Sequence, residues 1–167
     1  MLLRLLSTLK LKLLIALVFG MASSAQAGYL YVLADETAGN DIYGFDVNES
    51  TGELNALAGF PIPTGGAGND IALICHRMVA DTLNNRLYVI NNTSNTVSAF
   101  SVDPGTGALT PMPFSPIAIG TGTWNAMDIH PSGSPLLVAN GATGGGVVSI
   151  NITATTAEIV AGSPFPM

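Results

Sequence analysis

The sequence has 167 residues, 48% of them hydrophobic and only 10% charged, with five basic against 11 acidic side chains and a formal net charge of −6. A chain this acidic carries no electrostatic footprint for nucleic acid, where neutralising phosphates dominates affinity. One cysteine, Cys75, excludes an internal disulfide framework.

In chain order, residues 1–27 read as an export signal. Arg4, Lys10 and Lys12 form a basic leader, Leu13 to Met21 an apolar run too short to span a bilayer comfortably, and Ala25-Gln26-Ala27 a small-x-small cleavage site. The competing reading is an uncleaved membrane anchor. Cleavage predicts a periplasmic or secreted protein with no membrane span. The remaining 140 residues, 28–167, suit one domain. They keep two basic residues, Arg77 and Arg86, against all 11 acidic ones, a net charge of −9. Such a surface is poorly equipped to hold a phosphorylated ligand.

From Tyr29 onward the chain repeats. Leu30-Tyr31-Val32, Leu87-Tyr88-Val89 and Leu136-Leu137-Val138 open three copies at offsets of 57 and 49 residues. Downstream, Ile42, Val97 and Val147 correspond, then Phe45, Phe100 and Ile150, then Leu54, Leu109 and Ile159, then Pro61, Pro116 and Pro166, with no gap. Short apolar-alternating runs bounded by turn residues predict strands. In the first copy these are 29–34, 41–47 and 53–58. In the second they are 75–81, 86–91, 96–103 and 108–112, and in the third 124–130, 136–140, 146–153 and 157–162. Leu83-Asn84-Asn85, Pro104-Gly105-Thr106-Gly107 and Pro131-Ser132-Gly133 supply the turns. No helical periodicity follows residue 27.

Four short strands per repeat of about 40–50 residues is the pattern of a propeller blade. The predicted fold is all-β, a partial β-propeller of four-stranded antiparallel blades at about 28–63, 71–118 and 123–167. The first copy lacks its first strand, so the array amounts to about 2.75 blades. Propellers typically have 4–8 blades. The expectation is therefore a fragment of a longer propeller, with missing blades to close the ring, or a chain that self-associates.

The second copy carries a more specific pattern. His76-Arg77-Met78-Val79-Ala80-Asp81, Asn84-Asn85-Arg86-Leu87-Tyr88-Val89, Asn91-Asn92, Thr96-Val97-Ser98-Ala99-Phe100 and Gly107-Ala108-Leu109-Thr110 resemble the blades of the seven-bladed propeller lactonase family. That family includes 6-phosphogluconolactonase-type enzymes. Asp128-Ile129-His130-Pro131-Ser132-Gly133 with Leu136 to Asn140 fits the same blade, and the resemblance covers nearly all of 29–167. It implies hydrolysis of a sugar or related lactone, with His76 beside the channel where it would polarise the lactone carbonyl or assist its hydrolysis. The chain departs from the family in blade number, in its export signal and in its near lack of basic residues. The same blade motifs recur in non-catalytic propellers of the surface-layer and YVTN type. The alternative is thus an extracytoplasmic binding or scaffold propeller with a protein ligand.

Blade geometry puts His76, Asn69, Asp70 and Asn125 on one face, with the loops 34–41, 91–95 and 140–146. Asn69, Asp70 and Asn125 are the ligand-binding candidates. They could also supply oxygens to calcium, which needs six or more; no other cofactor and no metal site is expected. The plainer reading of His76 is a channel-lining histidine bonded to backbone. His130 and Asp81 fall at the opposite ends of the first strands and read as turn residues. No G-x-S-x-G elbow supports a serine hydrolase. Gly65-Gly66-Ala67-Gly68-Asn69 lacks the Lys-Ser/Thr of a phosphate loop.

Overall fold

The computed structural model of the protein describes residues 28–69 and 76–167. The leader, Asp70 and Cys75 lie outside the described residues. Those described form three antiparallel sheets and no helix. The first holds β1 (Gly28–Leu33), β2 (Asp41–Val47), β3 (Leu54–Ala56) and β4 (Ile62–Pro63). The second holds β5 (Met78–Asp81), β6 (Arg86–Asn91), β7 (Thr96–Val102), β8 (Leu109–Pro111) and β9 (Ile117–Ala118). The third holds β10 (Trp124–Ile129), β11 (Leu136–Asn140), β12 (Gly146–Ile152), β13 (Ala157–Ile159) and β14 (Phe165–Pro166). Each sheet is a meander of consecutive strands. Sheets two and three begin with an innermost strand, β5 or β10, that has no counterpart in the first sheet among the described residues. The three sheets are partial blades and do not close a ring.

Three features depart from the sequence reading. A two-residue strand (β4, β9, β14) returns in every copy to pair beside the third strand, as Ile42↔Ile62, Val97↔Ile117 and Val147↔Phe165. These strands are too short for any periodicity to announce. Next, the repeat is not gapless. Val47↔Leu54 and Val102↔Leu109 match Ile152↔Ala157, so Ala157 rather than Ile159 occupies the position of Leu54 and Leu109. By the same register Pro164, not Pro166, corresponds to Pro61 and Pro116. The reason is local: four residues, 153–156, turn β12 into β13 where six, 103–108, turn β7 into β8. Lastly, β5 starts at Met78, leaving His76 and Arg77 just ahead of it, although Arg77 still accepts from the Ile90 amide at 2.8 Å.

The core lies between the sheets, because period-2 alternation gives each strand two working faces. On β6, Leu87 and Val89 face the first sheet, joining Ile42, Phe100 and Leu109, while Tyr88 and Ile90 face the third, joining Trp124, Met127, Leu136, Val138, Val148 and Ile150. A middle sheet buried on both sides reads as an unbroken apolar run, as Leu87-Tyr88-Val89-Ile90 does. Turn chemistry fixes the register. Asn85 and Asn95 take the left-handed backbone at φ 51° and 55°, which Asn tolerates. Asp103 accepts from the amides of Gly105 and Thr106 through Oδ1. Gly107 (φ 69°) lies so close to the Tyr29 ring that a Cβ would sit 2.7 Å away, and its carbonyl accepts from the Tyr31 hydroxyl at 2.8 Å.

Candidate ligand site

A cleft of about 360 Å³ opens on the outward side of the third sheet, lined by His76, Ala126, Met127, Asp128, Leu137, Ala139 and Val147. Its floor is the innermost strand β10. His76 reaches it from the second sheet because its carbonyl accepts from the Met127 amide at 2.8 Å, tying the start of one blade to the middle of the next inner strand. The His76 side chain is exposed. Asp128 is exposed as well and holds its own neighbour's amide, Ile129 N to Oδ1 at 2.8 Å. The strand register puts Asp128 opposite Leu137, the place that Val79 takes opposite Tyr88 in the preceding blade. A carboxylate thus replaces an apolar side chain, on the wall where a histidine also stands. The sequence named His76 and passed over Asp128, because strand alternation alone does not say which sheet face stays open.

The other candidates go elsewhere. Asn69 Oδ1 accepts from Arg77 Nη1 at 2.5 Å, and the same guanidinium nitrogen pairs with Asp35 Oδ2. Arg77 is buried, and both its Nε and Asp35 Oδ1 lack a partner among the described residues. Asp35 itself sits at φ 58°, and Gly68 packs so tightly on its carbonyl that any Cβ would be 2.4 Å from the backbone. This cluster fastens the loops 35–40 and 64–69 to the second sheet. An amide oxygen directed at a guanidinium does not fit a calcium ligand. Asn125 lies in the bulge between Trp124 and Ala126, with its amide against Gly141, and does not line the His76 cleft. The structure therefore does not gather His76, Asn69 and Asn125 around one cavity. Among the described residues, no three His, Cys, Asp or Glu side chains stand together as a metal-ligand group.

At the far ends of the inner strands, Asp81 is buried and accepts from Asn84, the backbone amide at 3.1 Å and the side-chain amide at 2.8 Å. His130 Nδ1 lies 2.8 Å from Ser132 Oγ within its own turn. Both are turn-closing groups. Arg86 pairs opposite Asp81, at the end of β6 away from His76. Neither arginine faces the cleft, one being locked to Asp35 and the other at the wrong end.

No family model matches the chain, and no curated protein matches it. Solved structures do. A "putative 6-phosphogluconolactonase" from Bacteroides fragilis superposes with a TM-score of 0.54 at 18% identity, over 83% of this chain and 36% of its own length. A protein with the same description from Bacteroides uniformis gives a TM-score of 0.44 at 11% identity, over 83% of this chain and 54% of its own. The chain has the all-β fold of a partial propeller. It spans about a third to a half of the length of the structures it matches, and at such identities the likeness concerns architecture alone.

Proposed function

We propose that this chain is an exported, lactonase-like propeller array that binds an unphosphorylated lactone in the His76–Asp128 cleft and hydrolyses it. The observation that carries the reading is the placing of an exposed imidazole and an exposed carboxylate on the walls of one apolar-floored cleft, beside the innermost strand. Lactone opening is acyl transfer to water. A base takes a proton from the attacking water as its oxygen bonds to the carbonyl carbon. The ring C–O bond then breaks, and the leaving alkoxide is protonated. Neutral His76 is the group suited to the first proton transfer; Asp128 would orient the imidazolium that results. The apolar floor of Met127, Leu137 and Val147 suits the hydrocarbon of a lactone ring better than a sugar phosphate. The position of both arginines, away from the cleft, argues against a phosphoryl group.

The alternative, a binding or scaffold propeller, is favoured by one observation: Asn69 and Arg77 are spent on fastening loops rather than on presenting polar groups. The two readings separate in one assay. Hydrolysis of γ- and δ-lactones of aldonic acids is followed by pH-stat for wild type, His76→Ala and Asp128→Asn. The enzymatic reading expects His76→Ala to fall about 100-fold or more, within the usual range for a general base, and Asp128→Asn to fall less. Equal rates in wild type and His76→Ala leave the binding reading.

A further inference from the structure

His76 and Arg77 belong to no strand, yet they tie the three sheets together. The paired ladder of the second sheet starts at Met78 and holds neither of them. Bonds to other elements do. The His76 carbonyl accepts from the Met127 amide of the third sheet at 2.8 Å, and the Arg77 carbonyl accepts from the Ile90 amide of β6 at 2.8 Å. The Arg77 guanidinium, on a residue 6% exposed, pairs with Asp35 in the loop after β1. Asp35 is itself fixed. Its backbone sits in the left-handed region at φ 58°, and its amide donates to Asn40 Oδ1 at 3.0 Å. Asn40 Nδ2 donates in turn to the Ile90 carbonyl at 3.2 Å. Asp35, Asn40, Ile90 and Arg77 thus close a circuit in which each holds the next, and His76 is the peptide neighbour of one member.

The third sheet shows what this circuit replaces. By strand register Arg77 corresponds to Ala126 and His76 to Asn125. There the ladder runs on, with Ala126↔Ala139 and Trp124↔Asn140. The loop of the preceding blade holds the start of that strand by its backbone, Asn92 Oδ1 accepting from the Trp124 amide at 3.0 Å. In the second sheet the ladder ends sooner, and the loop of the preceding blade grips a side chain instead.

We propose that Asp35 is a positioning residue for His76: a carboxylate on the first sheet's loop sets, through the buried Arg77, where the imidazole stands on the wall of the cleft at the third sheet. The role in catalysis rests on His76 being the base proposed above; the mechanical link does not. A guanidinium cannot shed its charge in a protein. Once the Asp35 carboxylate is removed, the buried charge is left uncompensated. The guanidinium then has to reach water, and residue 77 moves with it. His76, adjoining and outside the ladder, moves too. A general base works only within hydrogen-bond reach of its proton, about 2.6–3.2 Å, and a misplacement of about 1 Å can cost on the order of 100-fold in rate. The apolar floor of Met127, Leu137 and Val147 stays in place, so the change should fall on kcat and not on KM. His130 is an internal control. It is held in its own turn, Nδ1 lying 2.8 Å from Ser132 Oγ, and it takes no part in the circuit.

The test reads the two histidine ring-proton signals of the full chain by NMR, at a pH where both rings are neutral, with His130→Gln to assign them. Asp35→Asn is the first variant, because Asn also tolerates the left-handed backbone; far-UV circular dichroism checks that it folds. Arg77→Met unties the same link from its other end and serves as the second variant. Each is expected to shift and broaden the His76 signal and to leave His130 where it was. In the double variant Asp35→Asn should add nothing to Arg77→Met, since Asp35 acts only through the guanidinium. Lactone hydrolysis by Asp35→Asn should show kcat lowered about 10- to 100-fold with KM unchanged. A folded Asp35→Asn whose His76 signal stays put, two histidine signals that move together, or a full effect of Asp35→Asn in the Arg77→Met background would each overturn the link. A loss confined to KM would overturn the positioning role. Wild type that hydrolyses no lactone would sink the function proposed above, and the His76 signal would still decide the link.

Discussion

The seam between the first and second sheets and the seam between the second and third follow one repeat yet are held by different forces. Between the second and third, 14 buried hydrophobic residues form one cluster among the described residues, from Tyr88 and Ile90 through Trp124 to Ile152. Between the first and second the cluster has five, and hydrogen bonds take over. There Asn40 Nδ2 donates to the Ile90 carbonyl at 3.2 Å and to Asn91 Oδ1 at 3.0 Å, and Thr64 Oγ1 donates to the same Asn91 oxygen at 2.7 Å. Asn91 Nδ2 in turn donates to Ser98 Oγ at 2.8 Å, and Ser98 to the Thr64 carbonyl at 2.7 Å. The ion pair of Arg77 with Asp35 belongs to the same seam. The first sheet has less apolar surface to offer: Gly44 stands where Ala99 stands in the second, and the Phe60 ring fills its space, 2.6 Å from a hypothetical Cβ. A seam short of hydrophobic area leans on such bonds, since an unmade buried hydrogen bond costs more than a made one contributes; this one still leaves Arg77 Nε and Asp35 Oδ1 without a partner among the described residues. The two modes of closure lead to different sensitivities.

Trp124→Ala should cost most, about 3–5 kcal/mol in urea unfolding, the range for deleting a buried indole; its ring is 2% exposed and its Nε1 donates to the Gly120 carbonyl at 2.9 Å. A loss below about 1 kcal/mol would mean that the second seam is not the main source of cohesion. Asn91→Ala should cost about 1–3 kcal/mol by stranding the buried groups of Asn40, Thr64 and Ser98. If Asn91→Ala and Asn40→Ala together cost the sum of the two, measured in a double-mutant cycle, the network is not a coupled unit. The smallest effect belongs to Tyr31→Phe, which removes one hydrogen bond to Gly107, about 0.5–1.5 kcal/mol at neutral pH. Burial, with a smaller contribution from Tyr29, pushes the Tyr31 phenol from about 10 up to about 12. The unfolded chain therefore releases that proton near pH 10 while the folded one keeps it. Stability that Tyr31 confers is present below pH 10 and declines as pH rises toward 12. In alkaline denaturation Tyr31→Phe should show a shallower decline between those values, and identical slopes would place the proton linkage elsewhere.

How much was legible beforehand follows the same division. β2, β6 and β11 fall on the residues that alternation and turn chemistry marked, 41–47, 86–91 and 136–140. The repeat also pointed to a first copy without its inner strand, and among the described residues β1 pairs only with β2. The third copy misled by two residues because an ungapped match of Leu109 with Ile159 looked as good as the true one with Ala157; only hydrogen-bond register tells hairpin loops of four and six residues apart. His76 stood out as an isolated imidazole in a blade motif. Asp128, Asp35 and the partnering of Asn69 with Arg77 did not, because each depends on how separate segments are brought together in the stacked sheets.

The order of apolar and polar residues along the chain was enough to establish an all-β array of three repeated blades, since a strand's two faces are written in alternate positions and Asn, Gly and Pro mark where it must turn. It could not say which face of which sheet is covered, which asparagine serves a ligand and which a guanidinium, or which carboxylate shares a wall with His76. Those depend mostly on contacts between residues far apart in the chain, such as Asp35 with Arg77 and His76 with Met127, and such contacts exist only once the sheets are stacked.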